Sequence, residues 1–299
     1  MKTKFLSLLC FVFVLFLFPL TSNAYSMEDI ENSKLESLKE IEILQSKLGI
    51  INLEISSIEK DIEYYGIDFK PYNSYQQVVS STSKQTTKET YSIDSNSFIN
   101  TIEVNQSDIT LSELLENKEL EKKEIENKIN TLSEKISKLE KIENITFDSS
   151  DVTKLSGMTV EDVQLILKGT ALEELAIDFI DAEQEYHVNA FFIISICALE
   201  SGWGTSKRAV YDNNLTGFGV YSDNSEGINS DTKRGNILLT TKTLHNNYLT
   251  KGGSYYNGVS ISAVNIKYCT SNTWASKVTN IGNNLYNECI NYYINYINN

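Results

Sequence analysis

Histidine, cysteine and proline are scarce in this 299-residue chain, and each scarcity removes a class of chemistry. The only histidines are His187 and His245, with no H-x-x-x-H pair and no paired-cysteine spacing, which argues against a metal site and a zinc amidase. Beyond residue 24 only Cys197, Cys269 and Cys289 remain, enough for one bridge and a leftover thiol but not for a disulfide scaffold. Cys197 lies inside an apolar run and reads as a small buried hydrophobe, not as the nucleophile of a Cys–His pair. Neither G-x-S-x-G nor a glycine-rich phosphate loop occurs, and nothing calls for a cofactor. No basic patch occurs either: 26 Lys and Arg stand against 40 Asp and Glu, a net charge of −14 that argues against nucleic acid as a partner. Proline is absent from residues 151–299, where the apolar spacing is mostly helical.

What the chain does contain falls into three parts. Lys2 and Lys4, the apolar stretch Phe5 to Leu20 and the small-residue step Ser22-Asn23-Ala24 predict a secretory signal peptide over residues 1–24, removed after Ala24. The apolar stretch is shorter than a usual membrane span, and Cys10 lacks the small residues that precede a lipidated cysteine. Secretion to the cell wall or beyond is the expected location. Residues 25–150 carry a net −11 and residues 151–299 a net −5.

Residues 25–150 predict a coiled-coil helical hairpin. Ile41, Leu44, Leu48, Ile51, Ile55, Ile58, Ile62 and Tyr65 alternate spacings of three and four, with Gly66 as the stop. A second seam runs through Ile125, Ile129, Leu132, Ile136, Leu139 and Ile142, in a helix expected to start at Ser107-Asp108 and interrupted early by Lys118 and Lys122. Each segment would reach about 55–60 Å as a helix. Equal lengths favour an antiparallel fold-back, with a parallel homodimer, and so self-association through the coiled coil, as the alternative. The polar tract at 67–106 reads as a loop with at most a small strand pair.

The third part, residues 151–299, holds the most informative stretch. Phe191 to Leu199 is wholly apolar, too short to span a membrane, and reads as a buried core helix. Glu200 ends it, followed by Ser201-Gly202-Trp203-Gly204, whose glycines supply the freedom to turn the chain. A carboxyl group at a helix C-terminus among apolar neighbours is expected to be dry and to have a raised pKa, because burial and the helix dipole both disfavour its charge. A carboxylic acid kept protonated near neutral pH is what a glycosidase uses to protonate a leaving oxygen.

Three ordered blocks carry a resemblance: Ala198 to Ser206 (ALESGWGTS), Asn213 to Phe218 (NNLTGF), and Tyr268 to Val278 (YCTSNTWASKV). They resemble the glucosaminidase family of peptidoglycan hydrolases, glycoside hydrolase family 73, whose pattern runs A-x-E-S-G-W-G-T-S, N-N-L-F-G and Y-A-T-D-P-x-Y-A-x-K-V. Thr216 stands where that family usually has Phe. The resemblance covers roughly residues 155–297 and implies a lysozyme-like α+β domain with a small β lobe, for which the strand-like patterning near 217–230 is the candidate. The whole chain is then mainly α. It also implies an endo-β-N-acetylglucosaminidase that cuts peptidoglycan glycan strands at the β-1,4 bond after N-acetylglucosamine, with Glu200 as general acid.

Glycosidic cleavage needs a second element that stabilises the oxocarbenium-like state or activates water. Asp231 fits the family spacing best and Glu226 is close behind; the substrate's own N-acetyl group is a third route. The resemblance places Tyr268 near the acid. Trp203, Tyr255 and Tyr256 offer flat faces for sugar rings, and Asn214 an amide that braces the turn or touches substrate. The alternatives left open are a muramidase or lytic transglycosylase on the same fold, or a non-catalytic wall-binding coiled-coil protein.

Overall fold

The heptad seam of the first segment folds as one unbroken helix. A computed structural model describes residues 27–71, 109–220 and 227–298. The signal segment, most of the polar tract, and Glu226 with the other residues of 221–226 lie outside the described residues.

Helix α1 (Met27–Tyr65) and helix α2 (Leu111–Asn144) form the hairpin. Ion pairs Lys34–Glu143, Lys128–Glu40 and Lys118–Glu54 join early residues of one helix to late residues of the other, so the pair is antiparallel. Pairs this exposed stabilise little, and the apolar seam holds the helices together: Leu44, Ile51, Ile55 and Ile58 are all buried. Lys118, read as an interruption, instead bridges Glu54 and Glu121. Tyr65 leaves the seam and stacks on Phe69, with Gly66 at φ 90° turning the chain between them. The start of α2 also differs from expectation. Thr110, not Ser107 or Asp108, is the N-cap, because Glu113 three residues on completes a reciprocal capping box with it.

The remaining helices are α3 (Val160–Ile166), α4 (Ala176–Tyr186), α5 (Ala190–Ser201), α6 (Lys207–Tyr211), α7 (Lys233–Thr243), α8 (Ile261–Tyr268) and α9 (Trp274–Asn298). A 3-10 turn, Glu173–Leu175, leads into α4, and a π-helical turn, Leu244–Leu249, extends α7. Helix α5 is the centre, with every residue from Ala190 to Ala198 buried and the long α9 packed along it. Phe191 of α5 meets Phe147 and Tyr286. Gly282 admits the Phe147 ring, since a Cβ there would lie 2.3 Å from Cζ.

Hairpin and helical domain share one core. Ile30, Leu139, Ile142 and Ile145 at the hairpin base are buried in the same apolar cluster as Phe179 and Phe191. A boundary at residue 150 therefore falls after side chains that the domain core already encloses. Polar contacts reinforce the joint at Asp162, the N3 residue of the Thr159 capping box. Its carboxylate pairs with Lys141 of α2 at 2.8 Å and accepts a hydrogen bond from Tyr293 of α9.

No strand occurs among the described residues, so the expected β lobe is not found there. The flanks of the predicted lobe are turns because Gly217, Gly219 and Gly227 all take left-handed φ values of 62–74°, which an extended strand cannot contain. A backbone hydrogen bond from Ile228 N to Phe218 O joins the two sides.

Burial works against the charge of Asp162, but Lys141, the Thr159 amide and the Tyr293 hydroxyl outweigh it and hold its pKa below the ordinary aspartate value. Its contribution is therefore present above an unfolded carboxyl value of about 3.9 and fades as the pH falls through the lower folded value. Asp162→Ala should destabilise the chain by about 2–4 kcal/mol at neutral pH, read from urea midpoints. A change below about 0.5 kcal/mol would show that this joint does not hold the hairpin to the domain.

Candidate functional site

Two buried polar side chains fix the start of α5. The Asn189 side chain caps the helix at Phe191 N and donates to the carbonyls of Thr146 and Lys154. Glu183 accepts from the backbone amides of Ser156 and Ala190, both at 2.7 Å, and from the Ser156 hydroxyl. Burial raises the pKa of Glu183, and these three donors oppose the rise.

The far end of α5 stops at three successive left-handed residues, Gly202, Trp203 and Gly204, at φ 57°, 61° and 83°. Gly202 and Trp203 both donate to the Ala198 carbonyl, and Gly204 N donates to the Ser201 hydroxyl. Only Trp203 incurs the Cβ penalty of that conformation, about 1 kcal/mol. Its ring packs partly against the core.

Glu200 is thereby held one residue before the end of a rigid helix. By surface area it is exposed, which corrects the expectation of a dry acid. Its carboxyl group is nevertheless crowded. Oε1 accepts from the indole Nε1–H of Trp274 at 2.7 Å, and a Cβ on Gly217 would lie 3.9 Å from Oε2. The exposure is that of the residue as a whole, whereas the acidity follows the surroundings of the carboxyl group. That desolvation raises the Glu200 pKa, and the Trp274 hydrogen bond pulls it back part of the way. The acid thus sits on an open face walled by the Gly217 turn and the start of α9.

The second motif builds the Gly217 wall from buried polar groups. Asn214 is buried; its Oδ1 accepts from Phe218 N, and its amide donates to Phe218 O, Ile228 O and Asn229. It is a brace for the turn, with its amide engaged by protein. Asn213, at φ 53°, donates to the carbonyls of Ser230 and Asp231. Thr216, the departure from the family pattern, pairs with the hydroxyl of Thr240 at 2.7 Å, and Asn236 accepts from Leu215 N. The Asn236 side-chain NH2 has no hydrogen-bond partner among the described residues.

An aromatic row leads away from the acid. Trp274 packs on Tyr268 with centroids 4.8 Å apart, Tyr268 on Tyr248 at 5.8 Å, and Tyr248 on Tyr255 at 5.1 Å. The π-helical turn presents Tyr248, a known use of π segments at functional positions. Burial raises the Tyr268 pKa well above the ordinary value, and the nearby Glu200 charge adds to it, so the phenol stays neutral. Tyr255 and Tyr256 are exposed on the loop after the π turn.

The expected residues are therefore only partly assembled. Glu200, Tyr268 and, through Tyr248, Tyr255 lie along one surface. Asp231 is exposed just before the N-cap Thr232 of α7. Trp274 and Tyr248 were not singled out from sequence. Trp274 did stand in the third motif, at the second aromatic position of the family pattern; Tyr248 carried no signal. Cys197 is wholly buried, and burial with the Glu200 charge raises its thiol pKa, which removes it as a nucleophile. Among the described residues, no three His, Cys, Asp or Glu side chains converge as metal ligands would.

Comparison with known proteins finds a family model, curated relatives and solved structures similar to this part of the chain. Residues 176–287 match the Glucosaminidase family model, described as mannosyl-glycoprotein endo-beta-N-acetylglucosaminidase. Two curated relatives from two strains of Streptococcus pneumoniae, each a putative endo-beta-N-acetylglucosaminidase, are 30% identical over 149 residues. That match covers 47% of this chain and 22% and 21% of theirs, so the chain spans about a fifth of their length. Crystal structures of S. aureus autolysin E align with 50% of this chain and 77% of theirs. One is a catalytic mutant with the disaccharide NAG-NAM and the other a muropeptide complex; identities are 19% and 20% and TM-scores 0.38 and 0.39.

If Asn214 braces the turn beside the acid, Asn214→Ala should cost about 1–3 kcal/mol of stability in chemical denaturation and lower activity with it. Unchanged stability would show that the turn is held by other means.

Proposed function

We propose, from the match of residues 176–287 to the Glucosaminidase family model, that this chain is a peptidoglycan hydrolase cleaving the β-1,4 bond after N-acetylglucosamine. The observation that carries the reading is Glu200: a carboxyl with a raised pKa, fixed at a helix end and accessible from an open face. The S. pneumoniae relatives are named as putative endo-beta-N-acetylglucosaminidases.

In this reading a glycan strand lies across the open face, with its rings against the Tyr268–Tyr248–Tyr255 row. Protonated Glu200 donates to the glycosidic oxygen as the bond to the anomeric carbon lengthens. The open position opposite the acid is filled by water, activated by Asp231 or Glu226, or by the substrate's own acetamido oxygen. Asn214 acts as a brace beneath the turn. Residues 1–24 export the protein to the wall, and the coiled-coil hairpin over residues 25–150 is a spacer between wall and catalytic face.

Glu200→Gln keeps the shape and the acceptor for Trp274 but has no proton to donate. It should lower hydrolysis of purified sacculi by about 10²–10⁴-fold with the thermal midpoint nearly unchanged. Mass spectrometry of the wild-type products should find new N-acetylglucosamine reducing ends. Substantial activity in the variant would remove Glu200 from the acid role, whereas N-acetylmuramic acid or anhydro ends would reassign the bond.

A further inference from the structure

The indole nitrogen of Trp274 has one hydrogen and no acceptor capacity. That hydrogen is directed at Glu200 Oε1 with a 2.7 Å separation. Trp274 is almost fully buried at the first turn of α9, wedged against Tyr268, so the indole cannot swing away without disturbing the core. The two carboxyl oxygens are therefore not equivalent. A hydroxyl at Oε1 would accept the indole hydrogen more weakly than an unprotonated oxygen does, so the bond favours the proton on Oε2.

We infer that Trp274 is a positioning residue for the acid, which fixes Glu200 through Oε1 so that Oε2, on the side of the Gly217 turn, is the oxygen that gives up the proton. This rests on the reading of Glu200 as general acid. In the step itself the Oε2–H bond breaks and its proton passes to the glycosidic oxygen. The anomeric C–O bond breaks with its electron pair leaving on that oxygen, and Glu200 is left as a carboxylate. Water then bonds to the anomeric carbon, and the proton it releases restores the acid.

The indole bond does more than orient. A hydrogen bond to a carboxyl oxygen strengthens as the group becomes a carboxylate. Trp274 therefore stabilises the transition state more than the ground state, the condition for raising kcat. Cys197 on α5 and Tyr268 on α8 feel the Glu200 charge, and burial keeps both neutral; the Thr216–Gly217 turn brings no ionisable group. Among the described residues, Trp274 is thus the polar group that sets the charged state of the acid.

Two measurements test this. In Trp274→Phe, kcat on a soluble glycan fragment should fall about 10- to 100-fold, the value of a charge-assisted hydrogen bond, while KM stays within about twofold. Loss of the donor favours the neutral acid, so the alkaline limb of the kcat profile should move to higher pH. The second measurement needs no variant that might misfold. The chain has only two tryptophans, so the Trp274 indole Nε1–H resonance of the wild-type protein can be followed by NMR. It should titrate with the alkaline limb of activity and lose that transition in Glu200→Gln. A flat indole resonance, or a folded Trp274→Phe with unmoved kcat and pH limb, would overturn the inference. That result in an enzyme still dependent on Glu200 leaves the general-acid reading standing, whereas an active Glu200→Gln removes the reading itself.

Discussion

The hydrogen bond from the Trp274 indole to Glu200 joins residues 74 positions apart, and the rest of the surface is arranged around it. Glu200 reaches this bond because α5 is buried along its length and stopped by the Gly202–Trp203–Gly204 turn. Trp274 reaches it because α9 packs along α5 and opens with the indole buried. Loss of either support separates acid and donor. The apolar core and the polar site are in this sense one construction.

Around that bond, buried hydrogen bonds hold what helix packing does not. Asn214 ties the Gly217 turn to Ile228 and Asn229, Thr216 with Thr240 and Leu215 with Asn236 tie it to α7, and Asn189 and Glu183 tie the start of α5 to the segment leaving the hairpin. Groups buried this deeply are costly unless paired, so the turn has few alternative positions. The hairpin takes part as well, because its base lies in the domain core and Lys141 reaches Asp162.

Much of the fold was legible in the sequence, for identifiable reasons. The unbroken spacing from Ile41 to Ile62 admits only a long helix, and Thr159 with Asp162 marks a helix start by chemistry local to four residues. Residues 190–201 were readable because an apolar run followed by glycines has one economical structure. Features set by distant contacts were not readable. The π-helical turn at 244–249 has no local composition signal, and the alternation near 217–230 suggested strands where left-handed glycines make turns. The site follows the same division. Glu200 announced itself through its neighbours in sequence, whereas its partner Trp274 and its exposure depend on how α5, α9 and the Gly217 turn meet in space. Asn214 illustrates the remaining case: its amide suggested a turn brace or a substrate contact, and burial favours the brace.

The central claim is that the Glu200 carboxyl is half-desolvated by protein yet open to substrate, and therefore holds its proton more tightly than a free glutamate. Carbon-13 NMR of the glutamate side-chain carboxyls, with Glu200 assigned by comparison with Glu200→Gln, measures this in the unliganded protein. The account predicts a titration midpoint clearly above the ordinary glutamate value of about 4.3. A midpoint at or below that value would contradict it.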